Sequence, residues 1–270
     1  MKDELISKVM DEVMKKMSAA APEAAPAACE CEVTPESVCN ITEFVGVTVG
    51  HTIGLVIANL DHQVHEKMGI DPKYRSIGIL GGRTGAGPQI MAADEAVKAT
   101  NSEVLKIELP RDTEGGAGHG SYILFGAEDV SDARRAVEVA LREVPVHFGD
   151  VYGNTAGHLE FQYTARASYA LNMAFGAPIG KAFGFTCAGP AAIGLLLADT
   201  AVKAATVDVL GYSSPTNGGT SFSNEVILPF TGDSGAVKQA IIAAREVGLK
   251  ALKALEPTQE LKSTTTPYIL

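Results

Sequence analysis

The chain has 270 residues, long for one domain and comfortable for two. Apolar residues make up 46% and charged residues 20%, with 28 glycines, 6% aromatics and no tryptophan, so its cores must be built from Ala, Val, Ile and Leu with close backbone packing. A net charge of −10 without a Lys/Arg block argues against a nucleic-acid or anionic-membrane partner, and no apolar run is long and uniform enough to span a bilayer.

The first seventeen residues mix charge with apolar residues, unlike a secretory signal, and the expected location is the cytoplasm. Leu5, Ile6, Val9, Met10, Val13, Met14 and Met17 fall on one helical stripe. Such a short helix needs a surface to dock on. It either caps its own domain or acts as a tethered docking peptide. The Ala/Pro linker "SAAAPEAAPAACECEVTP" that follows favours the tether. Residues 1–40 are therefore read as helix plus linker.

From residue 41 the pattern is globular. "FVGVTVGHTIGLVIANL" reads as a strand followed by a strand or helix, and "RSIGIL" as a strand. "GGRTGAGP" is a tight glycine loop, "QIMAADEAVKAT" a helix and "EVLKIEL" a strand. After the loop "PRDTEGGAGHG" come the strand "SYILFG" and the amphipathic helix "VSDARRAVEVALREV". The order then repeats: "AFGFTC", "GPAAIGLLLADTAVKAAT", "VDVLGYS", "SPTNGGTSFSN", "EVILPFTG" and "SGAVKQAIIAAREVG". The stretches beginning at Ala92 and Leu197 share nine of nineteen positions at a constant offset of 105. Two copies of an α+β unit are expected, at 41–154 and 155–256, followed by a polar tail at 257–270 with an apolar hook at its end.

No catalytic constellation stands out. The loop Gly81–Gly87 sits between strand and helix, as a phosphate cradle would, but it lacks both the dinucleotide spacing and the P-loop Lys-Ser/Thr ending. A tight turn is the better reading. Cys29, Cys31 and Cys39 lack the C-x-x-C spacing of a zinc or iron–sulfur site, so neither metal nor cofactor is expected. His62 and His65 are read as surface helix residues. Asp94 and Asp199 recur in "AD-x-AVKA", which points to capping or an interface contact. Lys98 and Lys203 recur with them, either as solvated helix lysines or as contacts at equivalent edges.

"ADEAVKATNSEVLKIELP", "ADTAVKAATVDVLGYSSP" and "TGDSGAVKQAIIAAREVG" resemble the domain of bacterial microcompartment shell proteins. "EFVGVTVGHTIGLVIANL" comes ahead of that pattern, where a standard domain ends, so the chain resembles the circularly permuted tandem subclass. "YRSIGILGGRTGAGPQIMAADEAVKAT", "ELPRDTEGGAGHGS", "FGDVYGN", "QYTARASYAL", "GAPIG" and "YSSP…GTSFSNE" are most similar to its propanediol-utilization members, with the ethanol-utilization members next.

The resemblance implies two tandem permuted BMC domains, ferredoxin-like α/β sandwich units, in a homotrimer shaped like a hexamer. It implies a non-catalytic shell protein that tiles with itself and other shell proteins. The compartment would degrade propanediol or glycerol, and the N-terminal segment would attach the enclosed enzymes. Lys98 and Lys203 match the lysine that reaches the adjoining oligomer. The loop Pro110–Ser121, with Arg111, Asp112, Glu114 and His119, matches the loop around the threefold axis. Arg83, Thr84, Gly85, Phe148, Thr216, Asn217, Thr220 and Ser221 match positions lining smaller pores within each subunit. Gly85 stands where amine-handling relatives carry an acid, which favours a neutral diol. Two rival readings are a small-molecule sensor of duplicated ferredoxin-like domains and an enzyme with its site between the halves.

Overall fold

The computed structural model describes Pro35, Cys39 and residues 41–110, 119–216, 223–263 and 265–270. The expected N-terminal helix, the cysteines at 29 and 31, and the loop residues Arg111, Asp112, Glu114, Asn217, Thr220 and Ser221 lie outside these residues. Residues 39–270 form one unit.

The first copy opens with an antiparallel hairpin, β1 (Phe44–Thr48) and β2 (Thr52–Ile57). Its turn places Gly50 and His51 at positive φ. That resolves the strand-then-strand-or-helix reading in favour of two strands. The short helix α1 (His62–Met68) starts under the Asp61 carboxylate, which accepts from Gln63 N, and stops at Gly69 in the left-handed region. His62 is exposed as expected, but His65 is buried, with Nε2 3.1 Å from the Tyr74 carbonyl. The helix turns His65 towards the segment that leads into β3, where its ring meets the Tyr74 carbonyl, and leaves His62 in solvent.

Strand β3 (Ser76–Gly82), helix α2 (Ala86–Ala99), strands β4 (Glu103–Glu108) and β5 (Ser121–Ala127), and helix α3 (Val130–His147) complete this copy. Its sheet runs β1-β2-β3-β5-β4. The second copy follows a 3₁₀ turn at Phe148–Asp150. It comprises β6 (Val151–Asn154), β7 (Gly157–Thr164), α4 (Tyr169–Phe175), β8 (Ala182–Gly189), α5 (Ala191–Ala204), β9 (Val207–Val209), β10 (Val226–Gly232), α6 (Ser234–Leu255) and β11 (Lys262–Ser263). Its sheet runs β11-β6-β7-β8-β10-β9. Because β6 pairs with β7, this sheet begins at Val151, ahead of the boundary expected at 155.

In both copies the long closing helix presses on a glycine of the central strand. A Cβ at Gly78 would lie 2.8 Å from Val137 Cγ2, and one at Gly184 2.9 Å from Val237 Cγ1. Close backbone packing brings the helices onto the sheets as expected, but phenylalanines join the aliphatic residues in the cores: Phe125, Phe161, Phe183 and Phe230 are the largest fully buried side chains. One core joins Leu80, Ile90, Met91, Phe125 and Val137 to Leu171, Phe183 and Phe185, so it runs from the first copy into the second. The other gathers Leu159, Phe161, Leu197, Phe230, Ile241 and Ile269.

Ile269 is the expected apolar hook, and it is fully buried. Buried Asp150 holds it: Oδ2 accepts from Tyr268 N at 2.8 Å and Ile269 N at 3.0 Å, while Oδ1 pairs with Arg245 at 2.5 Å. Arg245 also donates to the Ile269 carbonyl at 2.7 Å. A buried charge this fully paired keeps its place. No helix among the described residues is long and apolar enough to cross a membrane.

Candidate functional site

The turn between β3 and α2 gathers four of the positions expected to line pores. Arg83 N and Thr84 N both donate to the Gly50 carbonyl, at 3.2 and 3.3 Å, which joins this turn to the β1–β2 hairpin. Gly85 caps α2 at φ 74°, and a Cβ there would meet Phe148 Cζ at 2.4 Å. A Cβ at Gly50 would meet the same atom at 2.6 Å. The buried Phe148 ring thus sits directly against both turns. It supports both turns, because the two glycines leave a hollow that the flat ring fills. Buried Gln89 fixes the turn further, donating to the Thr84 carbonyl at 3.0 Å and to Thr52 Oγ1 at 2.8 Å. Arg83 is exposed and Thr84 half-buried, so these two carry the turn's polar surface. Thr216 is exposed, just beyond the bridge that pairs Ser213 with Ile227.

The repeated aspartates have different environments. Asp94 is fully buried, and its Oδ1 accepts from Ser168 N at 2.9 Å, Ser168 Oγ at 2.5 Å and Leu171 N at 3.4 Å. It therefore caps α4, a helix of the other copy. Its Oδ2 forms an ion pair with Lys98 Nζ at 2.7 Å, and Glu95 approaches the same ammonium at 2.7 Å. Among the described residues Asp199 pairs with Lys203, at 2.7 Å, with side-chain exposures of 51% and 73%. Capping, one of the two expected roles, is realised in one copy.

His119, at the end of the loop Pro110–Ser121, is buried. Its Nδ1 lies 2.7 Å from Glu225 Oε1, and His158 Nε2 lies 3.2 Å from Oε2 of the same carboxylate. Burial alone would raise the Glu225 pKa, but the two imidazoles bring it down to about 2. Nearby Glu160 has no such partner: burial, reinforced by the Glu225 charge, lifts it to about 8. Cys187 lies beside both, and burial together with their charges pushes its thiol well up. One carboxylate is ionised and bridges the halves, the next is protonated at neutral pH, and the thiol is no nucleophile.

Sequence reasoning missed this cluster, because its members stand far apart at positions 119, 158, 160, 187 and 225. One signal was present. His158, Glu160 and Gln162 alternate along β7, so one face of a central strand is polar and needs partners.

A family model, the BMC domain, matches residues 76–155 and 182–258. The bacterial microcompartment shell protein PduB of Citrobacter freundii is 57% identical over 267 residues, 97% of this chain and 98% of that protein. The chain belongs to the BMC-domain family of microcompartment shell proteins. Among solved structures, EtuB from Clostridium kluyveri is 55% identical with a TM-score of 0.81, over 84% of this chain and 99% of that one. A trimeric shell protein PduB is 51% identical with a TM-score of 0.80, over 84% and 100%. The two BMC matches begin at or beside β3 and β8. In each copy a strand pair ends, and a short helix lies, ahead of that start, which is the permuted order read from the sequence.

The unequal aspartates make a quantitative prediction. In dilute, monomeric protein, Asp94→Ala strands the buried Leu171 N–H and the partly buried Ser168 N–H at the start of α4, leaves Lys98 unpaired, and should cost about 3 kcal/mol in urea unfolding. Asp199→Ala should cost roughly 0.5 kcal/mol or less, as exposed pairs do. Equal costs would contradict the assignment.

Proposed function

We propose that the chain is a homotrimeric, non-catalytic tile of a cytoplasmic microcompartment shell serving propanediol or glycerol degradation, and that it conducts small polar metabolites. The observation that carries this is an unequal pair of helix faces. At the same positions of the repeat, Ile90 and Met91 on α2 are 0% and 1% exposed, whereas Leu195 and Leu196 on α5 are 55% and 43% exposed. In the first copy the face is covered by α4, which packs on α2. The counterpart of α4 in the repeat is α1, which likewise ends at a left-handed glycine and leaves Val64 and Met68 exposed. The bare α5 face of one chain therefore suits the bare α1 of the next. Repeating the internal seam head to tail makes a closed ring of six similar units from three chains. Resemblance to a solved trimeric PduB supports the same closure.

Lys98 and Lys203 then lie at corresponding places on neighbouring units and serve tiling against other shell proteins. The exposed Arg83 and half-buried Thr84, with Gly85 leaving no acid beside them, supply one wall of a subunit pore, and Thr216, Asn217, Thr220 and Ser221 supply the other. Hydroxyl and amide groups exchange with water around a diol at little net cost, and passage requires such weak binding. The similarity to EtuB favours a second reading of the cargo, an ethanol-utilization compartment with the same architecture. Residues 1–17 dock the enclosed enzymes through the Ala/Pro linker.

Leu195→Asp with Leu196→Asp should convert the trimer to monomers in sedimentation while circular dichroism keeps its helix content; a persisting trimer overturns the closure. In isolated compartments, Thr84→Leu with Asn217→Leu should slow propanediol entry about tenfold, and unchanged flux sinks the pore assignment. If ethanol rather than propanediol flux changes, the second reading holds. Deleting residues 1–38 should leave extended sheets in electron micrographs yet separate shell from enzymes, whereas Lys203→Ala, which leaves the Asp94–Lys98 pair intact, should disrupt the sheets.

A further inference from the structure

We propose that His158, Cys187 and Glu225 form a buried binding site for one divalent transition-metal ion of the zinc type. The three candidate donor atoms already form a compact triangle. Nε2 of His158 and Oε2 of Glu225 are 3.2 Å apart, Sγ of Cys187 and Nε2 are 3.9 Å apart, and Sγ and Oε2 are 3.8 Å apart. The point equidistant from corners so spaced lies about 2.1 Å from each, and zinc takes nitrogen and oxygen at about 2.0–2.2 Å and thiolate sulfur at about 2.3 Å. A small step out of the plane reaches the sulfur distance. No backbone movement is needed.

The donors stand on rigid elements. Three neighbouring strands carry them: His158 on β7, Cys187 on β8, and Glu225 directly before β10. The register is tight, with His158 opposite Gly189, Glu160 opposite Cys187, and Val226 opposite Ala188. A Cβ at Gly189 would crowd the His158 ring at 2.8 Å, so a glycine there leaves the imidazole its room. His119 Nδ1, 2.7 Å from the other Glu225 oxygen, orients the carboxylate as outer-shell partners do. A mostly apolar space of about 20 Å³ that Cys187 and Glu225 border, but His158 does not, lies beside the donors and is large enough for one water.

The chemistry of the set selects the ion. Thiolate, imidazole and one carboxylate suit zinc and its neighbours and are poor for magnesium or calcium. Binding breaks the Cys187 S–H bond and the N–H bond that His158 Nε2 directs at Glu225, forms sulfur–metal and nitrogen–metal bonds, leaves the neutral imidazole protonated on Nδ1 and releases the displaced protons to solvent, with no change of oxidation state. Thiolate and carboxylate then balance a 2+ charge, so the buried group is neutral. The ion would clamp three strands of the second copy and, through His119, the start of β5 in the first. This proposal does not depend on the shell assignment.

The test uses full-length protein with Cys29→Ser, Cys31→Ser and Cys39→Ser, so that Cys187 is the remaining thiol. Cobalt(II) titration should saturate at one equivalent with a thiolate-to-cobalt charge-transfer band, and zinc should displace it. Zinc at a hundred times its dissociation constant should raise Tm by several degrees. Absence of the band in this variant overturns the proposal. Cys187→Ala added to that variant should abolish the zinc-induced rise in Tm; a rise that persists there also overturns the proposal. His158→Gln, which keeps a side chain of similar length, should weaken cobalt binding at least tenfold.

Discussion

The seam between the two copies depends on the burial of the Asp94 carboxylate. It meets the first N–H groups of α4 while α2 brings its apolar face, Ile90 and Met91, against the same helix. The polar contact fixes where α4 lies, and the apolar contact supplies the driving force. A buried carboxylate is tolerable only because Ser168, Leu171 and Lys98 surround it. Because the first core continues through this seam into Phe183 and Phe185, the two copies pack as one body.

A second consequence is the close approach of backbone to polar side chains at the junction. A Cβ at Gly87, in the first turn of α2, would overlap Glu160 Oε1 at 1.7 Å. Glycine there lets the helix sit on a protonated acid of the facing sheet. Beside it Glu225 is held between two imidazoles, and Asp150 latches the C-terminal residues to the 3₁₀ turn linking the copies. Three buried carboxylates, Asp94, Glu225 and Asp150, each with a different set of partners, thus pin the places where chain segments distant in sequence must meet. Apolar contacts of Ala, Val and Leu are interchangeable in register, and hydrogen-bonded charges are not.

Much of this was legible. The offset of 105 marks the duplication, and the strands and helices of both "AD-x-AVKA" regions lie where periodicity puts them. Less legible was 148–175, where β6, β7 and α4 carry mixed polar and aromatic residues without clean periods. His65 and His119 look like surface residues in one dimension, and Phe148 looks available to a pore. Each is buried by a segment that local sequence does not reveal: the Tyr74 carbonyl, the Glu225 carboxylate, and a pair of glycine turns.

By itself the sequence determined the duplication, the α+β order of each copy, the reliance on glycine and small residues, and the family. Those follow from local periodicity and from residues read one after another. Only the tertiary structure decided that Asp94 is a buried cap and Asp199 an exposed pair, although the two are spelled alike. It alone brought His119, His158, Cys187 and Glu225 together. The reason is physical: burial, partner geometry and pKa depend on what packs across from a residue, and here the facing group comes from another copy of the repeat. Identical motifs therefore acquire different chemistry wherever one copy is covered within the chain and the other is left open.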